Sequence, residues 1–293
     1  MKYTINQFRK QYPNDDVCLD KIFELRYTKV PCCPQCSQET TFKRVKDRRS
    51  YVCSDKDCQY QLYPTAGTVF EKTRTSLVDW FYVIYLMTST RNGVSAKEIQ
   101  RQLGVTYKCA WRMGHQVRKL MANGTDLLSG VVEVDEAYIG GMIKNKHLSK
   151  QRQIQATGRG KDKKPVVTMV QRNGEVRTFV VDSVGSGSMY DIITKNVEKG
   201  SRLITDGFNS YKWVGMQYQH EPVKHEDNYL TTGDKHTNSV EGFFSHLKRT
   251  IRGTHIHVGP QHLQKYADEC SFKYTHRNKG QMMFHIILER AVS

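Results

Sequence analysis

Two short cysteine pairs constrain the first third of this chain more than anything else in it: Cys33-Pro-Gln-Cys36 and Cys53-x4-Cys58, with sixteen residues between them. A tetrahedral Zn²⁺ needs four soft ligands about 2.3 Å from the metal, and two knuckles on separate hairpins deliver sulfurs in that arrangement. The spacing is close to the ribbon pattern of structural zinc, although the second knuckle is one residue longer than most. Cys32 offers a fifth thiol, and Cys33 is preferred because it makes the tighter Cys-Pro-x-Cys turn. The expected ligands of one structural Zn²⁺ are therefore Cys33, Cys36, Cys53 and Cys58. Four thiolates leave no open coordination position, so such an ion shapes the fold and does no chemistry. Eight cysteines among 293 residues are too sparse for a disulfide scaffold. Cys18, Cys109 and Cys270 stand alone and read as core thiols.

Charge narrows the class of partner. Forty-five Lys and Arg against 29 Asp and Glu leave a net charge of +16, an excess that suits a polyanion better than a small metabolite. Lys43, Arg44, Lys46, Arg48 and Arg49 lie between the two knuckles, where a rigid ribbon would present them to nucleic acid. The N-terminal stretch MKYTINQFRKQYPNDD lacks the apolar core of a secretory signal. The longest apolar run, from Leu77 to Met87, is about half of what a membrane span requires and contains Asp79. A cytoplasmic or nucleoid protein is expected if the host is bacterial, a nuclear one if it is eukaryotic, with no membrane partner.

Hydrophobic periodicity divides the chain into three parts. Residues 1–66 form the cysteine module with an N-terminal extension. Residues 67–125 repeat apolar positions at helical spacing, and Ser95 before Glu98, Gly104 and Thr106 mark two helices joined by a tight turn. The second of these carries Lys108, Arg112, Arg118 and Lys119, the proportions of a helix-turn-helix whose second helix enters a DNA groove. Residues 126–293 begin with β signals: GVVEVDEAYIGG, then two strands around Asn173-Gly174, a helix with Ser188 and Asp191 near its start, and the strand SRLITD. The order is βββαβ, followed by a short helix near Ser210, a strand near Pro222-Val223 and two closing helices. Residues 143–165 hold eight Lys and Arg against one Asp and read as a basic loop, with Lys144, Lys146, Arg159, Lys161, Lys163 and Lys164 as backbone-phosphate contacts.

Asp135 and Asp206 each fall at the end of an expected strand. Strand ends that neighbour one another bring such carboxylates within a few ångströms, where both ionise only if a cation lies between them. Oxygen ligands select Mg²⁺ or Mn²⁺, and a pair of such ions about 3.5 to 4 Å apart supports phosphodiester chemistry. A third acid is expected from the helix NSVEGFFSHLKR, where Glu241 is the candidate. Asn238 and Glu241 also match an N-cap and N3 pair, which is a purely structural alternative. Lys248 lies two helical turns beyond Glu241 on the same face and could hold a phosphate.

Five ordered motifs resemble one family: YVCSDKDCQYQLYPTAGTVF, GVSAKEIQRQLGVTYKCAWRM, GVVEVDEAYIGG, LITDGFNSYKW, and HTNSVEGFFSHLKRTIRGTHIHV followed by HLQKYADECSFKYTHR. They are similar to DDE transposases of bacterial insertion sequences that carry an N-terminal zinc ribbon, the ISXO2-like group, relatives of the eukaryotic Merlin elements. The likeness covers nearly the whole chain. It implies an α+β multidomain protein: a zinc ribbon, a helix-turn-helix block and a C-terminal RNase H-like catalytic core. It further implies that Asp135 and Asp206 are metal ligands, with Glu241 or Asn238 as the third, Lys248 as the basic residue that follows, and two Mg²⁺ or Mn²⁺ per site. Arg249 and Arg252, on the same helix, join the candidate DNA contacts. The expected activity is cleavage at terminal inverted repeats of double-stranded DNA and transfer of the 3′-OH strands to target DNA, by a homodimer or larger assembly. Two other readings fit the same residues: a nuclease of the same core without strand transfer, and a zinc-ribbon regulator whose acids are inert.

Overall fold

The computed structural model describes residues 3–27, 32–141, 147–149, 151–152, 163–223, 234–280 and 282–293. Contacts group them into two units, Met1–Leu120 with Asn278–Ser293, and Met121–Arg277. The sequence reading carried its third segment from 126 to 293, whereas residues after 277 pack with the N-terminal unit. The physical reason is visible in Phe284. It is buried among the rings of Phe8, Tyr12 and Phe81, and an apolar helix goes where its stripe finds aromatic cover.

The first unit opens with α1 (Ile5–Gln11) and α2 (Asp15–Tyr27). The Thr4 hydroxyl and the Gln7 side chain cap the start of α1 reciprocally. A three-stranded antiparallel sheet follows, β1 (Phe42–Arg44), β2 (Tyr51–Cys53) and β3 (Gln61–Leu62), in that spatial order. Next is α3 (Leu77–Ser89), apolar on nearly every side and correspondingly buried, with the Ser76 hydroxyl accepting the Asp79 N–H at 3.0 Å. α4 (Ala96–Leu103) and α5 (Tyr107–Leu120) form the expected helical pair. Ser95 accepts the Glu98 N–H, Gly104 closes α4 in the left-handed region at φ 66°, and Thr106 accepts the Cys109 N–H. The capping box is only half made, because the Glu98 carboxylate bonds Arg101 and Gln102. The unit is completed by the terminal helix Met282–Val292.

The second unit is a five-stranded mixed sheet with helices on both faces. Its strands are β4 (Val131–Ile139), β5 (Lys164–Gln171), β6 (Val176–Val180), β7 (Arg202–Asp206) and β8 (Gln219–Val223). The spatial order is β6-β5-β4-β7-β8; β4, β5 and β6 are antiparallel neighbours, and β7 and β8 join in parallel. The parallel additions require crossovers. The first is α6 (Ser186–Asn196), which starts on Gly185 without a side-chain cap, one turn earlier than Ser188 and Asp191 suggested. A 3₁₀ segment, Asn209–Met216, leads to β8. α7 (Asn238–Arg249) runs into a π-helical turn, Thr250–His255, and α8 (Leu263–Thr275) follows.

Alternation along VVEVDEAYI decides which side chains see which layer. Val132 and Val134 of β4 join Leu203, Met189, Ile193 and Tyr211 in one core. Ala137 joins Val240, Phe243, Phe244 and Leu247 of α7 in the other. Each fully buried aliphatic side chain contributes about 1.5–3 kcal/mol, so both layers are clamped to the sheet. Glu133 and Asp135 share the Ala137 face, toward α7. Among the described residues no helix is long and apolar enough to cross a membrane.

Candidate active site

The strand register builds the acidic site. β4 and β7 run parallel with Val134 opposite Thr205, so the next step along both strands sets Asp135 beside Asp206 on one face of the sheet. One carboxylate oxygen from each of Asp135, Glu136 and Asp206 lies within 4.8 Å of the others. Glu136, the neighbour of Asp135, is the acid that the sequence reading missed. It sits on the opposite side of the pleat yet reaches the same spot, where the Tyr211 hydroxyl donates to its Oε2 at 2.7 Å.

Three carboxylates in one place carry an electrostatic cost that shows in the proton affinity of Asp135 and Glu136. Burial, followed by the charges of Glu136, Asp206 and Glu241, pushes the Asp135 carboxyl up to about 7; the Glu136 N–H, donating to Oδ1 at 2.7 Å, pulls the other way. Burial raises Glu136 as well, against the Tyr211 hydrogen bond. Asp206 Oδ1 accepts the Phe208 N–H at 3.1 Å, a turn that fixes the carboxylate at the strand end. A group of hard oxygen donors that repel one another fits a divalent cation of the Mg²⁺ or Mn²⁺ type.

Glu241 lies outside the three-acid cluster, on the first turn of α7, close enough for its charge to act on Asp135. The Asn238–Glu241 capping box is not formed. Thr237 occupies the cap position and its hydroxyl donates to Glu241 Oε1 at 2.8 Å, while Asn238 is an exposed first residue of the helix. Lys248 stands two turns further along, its ammonium 5.8 Å from the centre of the Phe244 ring.

Residues 127–275 match the family model described as ISXO2-like transposase domain. The chain belongs to that insertion-sequence DDE transposase family. It is also similar to an uncharacterized protein in transposable element ISH50 of Halobacterium salinarum, 25% identical over 295 residues that cover 97% of this chain and 99% of the relative.

In this transposase-family protein the sulfurs of Cys33, Cys36, Cys53 and Cys58 lie within 4.8 Å of one another, an arrangement compatible with a zinc ribbon. Cys33 and Cys58 Sγ are 3.8 Å apart, close to the edge of a tetrahedron with 2.3 Å arms. Cys32 is exposed and outside the group. Against the effect of burial, the N–H groups of Cys36 and Gln35 draw the Cys33 thiol down to about 7, while, against the Tyr60 N–H, burial and the neighbouring sulfurs push the Cys58 thiol up to about 12.

The candidate DNA contacts divide by environment. Lys43, Arg48, Lys108, Arg112, Arg249 and Arg252 are exposed. Exposed Tyr107 and Trp111 interleave with Lys108 and Arg112 on α5. Arg44 instead pairs with Asp16 at 2.5 Å and Asp20 at 2.8 Å, and Arg49 pairs with Asp15 at 2.9 Å and bonds the carbonyls of Thr73 and Thr75. Those two arginines brace the ribbon on α2 and the segment before α3. Arg118 is buried and donates to the Val94 carbonyl. Lys164 pairs with Asp182 at 2.6 Å and Lys163 is half-buried. Lys144, Lys146, Arg159 and Lys161 lie outside the described residues.

Proposed function

We propose that the protein is a DNA transposase that cleaves the ends of its element and joins the freed 3′-OH strands to target DNA. The observation that carries this reading is the carboxylate cluster on adjacent parallel strands of a transposase-family chain. The sheet order β6-β5-β4-β7-β8, with α6 on one face and α7 and α8 on the other, supports an RNase H-like core. Asp135, Asp206 and Glu241 would hold two Mg²⁺ or Mn²⁺. When bound, such ions activate an attacking oxygen and stabilise the departing one. Glu241 is favoured over Asn238 because its charge reaches Asp135 and Thr237 orients its carboxylate.

The chain's own residues then divide the work. Lys248 pairs with the phosphate to be cut, and the exposed Arg249 and Arg252 grip its neighbours. The four cysteines hold one structural Zn²⁺ that stiffens the ribbon, which presents Lys43 and Arg48 to the duplex. Lys108, Arg112, Tyr107 and Trp111 on α5 enter a groove at the terminal repeat. Joining two ends requires at least two copies of the chain.

The test is a labelled duplex carrying the element's own ends, incubated with Mg²⁺ and a target plasmid. Joined product is expected. Cleavage without joining would make the protein a nuclease, and binding without cleavage a regulator. Asp206→Asn should bind the ends within a few-fold of wild type and cut nothing; retained cutting would remove Asp206 from the site.

A further inference from the structure

Glu133 is a fully buried carboxylate two residues before Asp135 on the same face of β4, and its partners lie on another element. Its Oε2 accepts the backbone N–H of Ser239 at 2.8 Å and of Val240 at 3.1 Å, and its Oε1 accepts the Ser239 hydroxyl at 2.9 Å. Arg172 completes the set, donating Nε to Oε1 at 2.7 Å while its Nη2 holds the His236 carbonyl at 3.0 Å. These are the first-turn amides of α7, the helix that carries Glu241. The helix has no cap from its own cap residue: the Thr237 hydroxyl accepts none of the first-turn N–H groups and donates to the Glu241 carboxylate. A buried carboxylate survives only when its lone pairs are satisfied, and here they are satisfied by the Ser239 and Val240 groups at the start of α7 and by Arg172, just beyond β5.

We infer that Glu133 is a positioning residue that fixes the distance between the first and third acids of the metal site, by fastening the start of α7 to β4 one side chain away from Asp135. The inference rests on the metal-site reading given above. Hydrophobic packing of Val240 and Phe243 holds α7 on the sheet face by a non-directional attraction. The charge-assisted bonds from Glu133 add a fixed direction between the helix start and β4. Asp135 and Glu133 share a strand, so the register of one strand sets both the acid and the anchor of its counterpart.

The test is Mn²⁺ binding to the full-length protein, read as free Mn²⁺ by electron paramagnetic resonance, with melting curves to show that each variant is folded. Wild type should bind and Asp135→Asn should bind much more weakly; if either fails, the metal-site reading fails and this inference with it. Given those two results, folded Glu133→Gln should weaken Mn²⁺ by about tenfold or more, the usual effect of losing an outer support of a ligand. In a Glu241→Gln background the same change should cost almost nothing further, because Glu133 acts through Glu241. Wild-type affinity in folded Glu133→Gln, or an equal loss in both backgrounds, would overturn the inference. Ser239→Ala, which removes one bond and keeps the ion pair with Arg172, covers the case in which Glu133→Gln does not fold. It should lose about threefold in the wild-type background and nothing in Glu241→Gln.

Discussion

Asp135 holds its proton unusually tightly, and that has two measurable consequences. Its carboxyl titrates at about 7, raised first by burial and then by the neighbouring acids. A cation must displace that proton, so Mn²⁺ affinity should rise about tenfold per pH unit up to neutrality and level off above it. In metal-free protein the sign for stability is the reverse of an ordinary surface acid. The folded state binds the proton better than the unfolded chain does, so this group's contribution is complete at low pH and is lost as pH rises through 7. Thermal melts in chelator should show that decline, and Asp135→Asn should remove it; an unchanged profile in the variant would place the titration elsewhere. Asp206 was legible in the sequence because it closes an apolar strand, whereas Asp135, expected at a strand end, lies in the middle of β4, which stays paired with β5 as far as Ile139. Glu136 and Glu133 were not legible, since a strand pattern tells which way a side chain leaves the pleat and nothing of how far it bends or what meets it. Arg44 and Arg49 show a related limit: sequence displays a charge without its counter-ion, and theirs are the aspartates of α2.

Among the elements, the ribbon depends most on something outside its own hydrophobic core. β3 has two residues and β1 and β2 three each, too little sheet to stand alone. The four sulfurs and the arginine braces to α2 compensate. Cys36→Ser should therefore lose about one equivalent of zinc per chain and melt the N-terminal unit, leaving Met121–Arg277 with its far-ultraviolet signal. Zinc content equal to wild type would refute the ligand assignment. Knuckle spacing made this element readable, and the caps at Ser95, Gly104 and Thr106 did the same for α4 and α5. The starts of α6 and α7 were harder. One begins on Gly185 with no capping side chain, and the other takes its cap from a strand more than a hundred residues earlier. A reading of neighbours in sequence has no access to a cap supplied across the fold.

For the whole molecule, the excess of +16 is an expectation about salt. Neutralising backbone phosphates releases counterions, so affinity for duplex DNA should fall by orders of magnitude between about 50 and 200 mM salt. Filter binding or fluorescence anisotropy across that range checks it, and a flat response would mean that contacts other than phosphate dominate. Chain order carries a consequence of its own. Phe284 sits in a cluster with rings contributed by residues 8, 12 and 81, so the earliest part of the polypeptide leaves the ribosome without the side chain that finishes its interior. The segment Met121–Arg277 is synthesised in between and is free to fold first. A message broken before codon 284 would thus yield the Met121–Arg277 unit joined to an unfinished N-terminal unit, a product disposed to degradation.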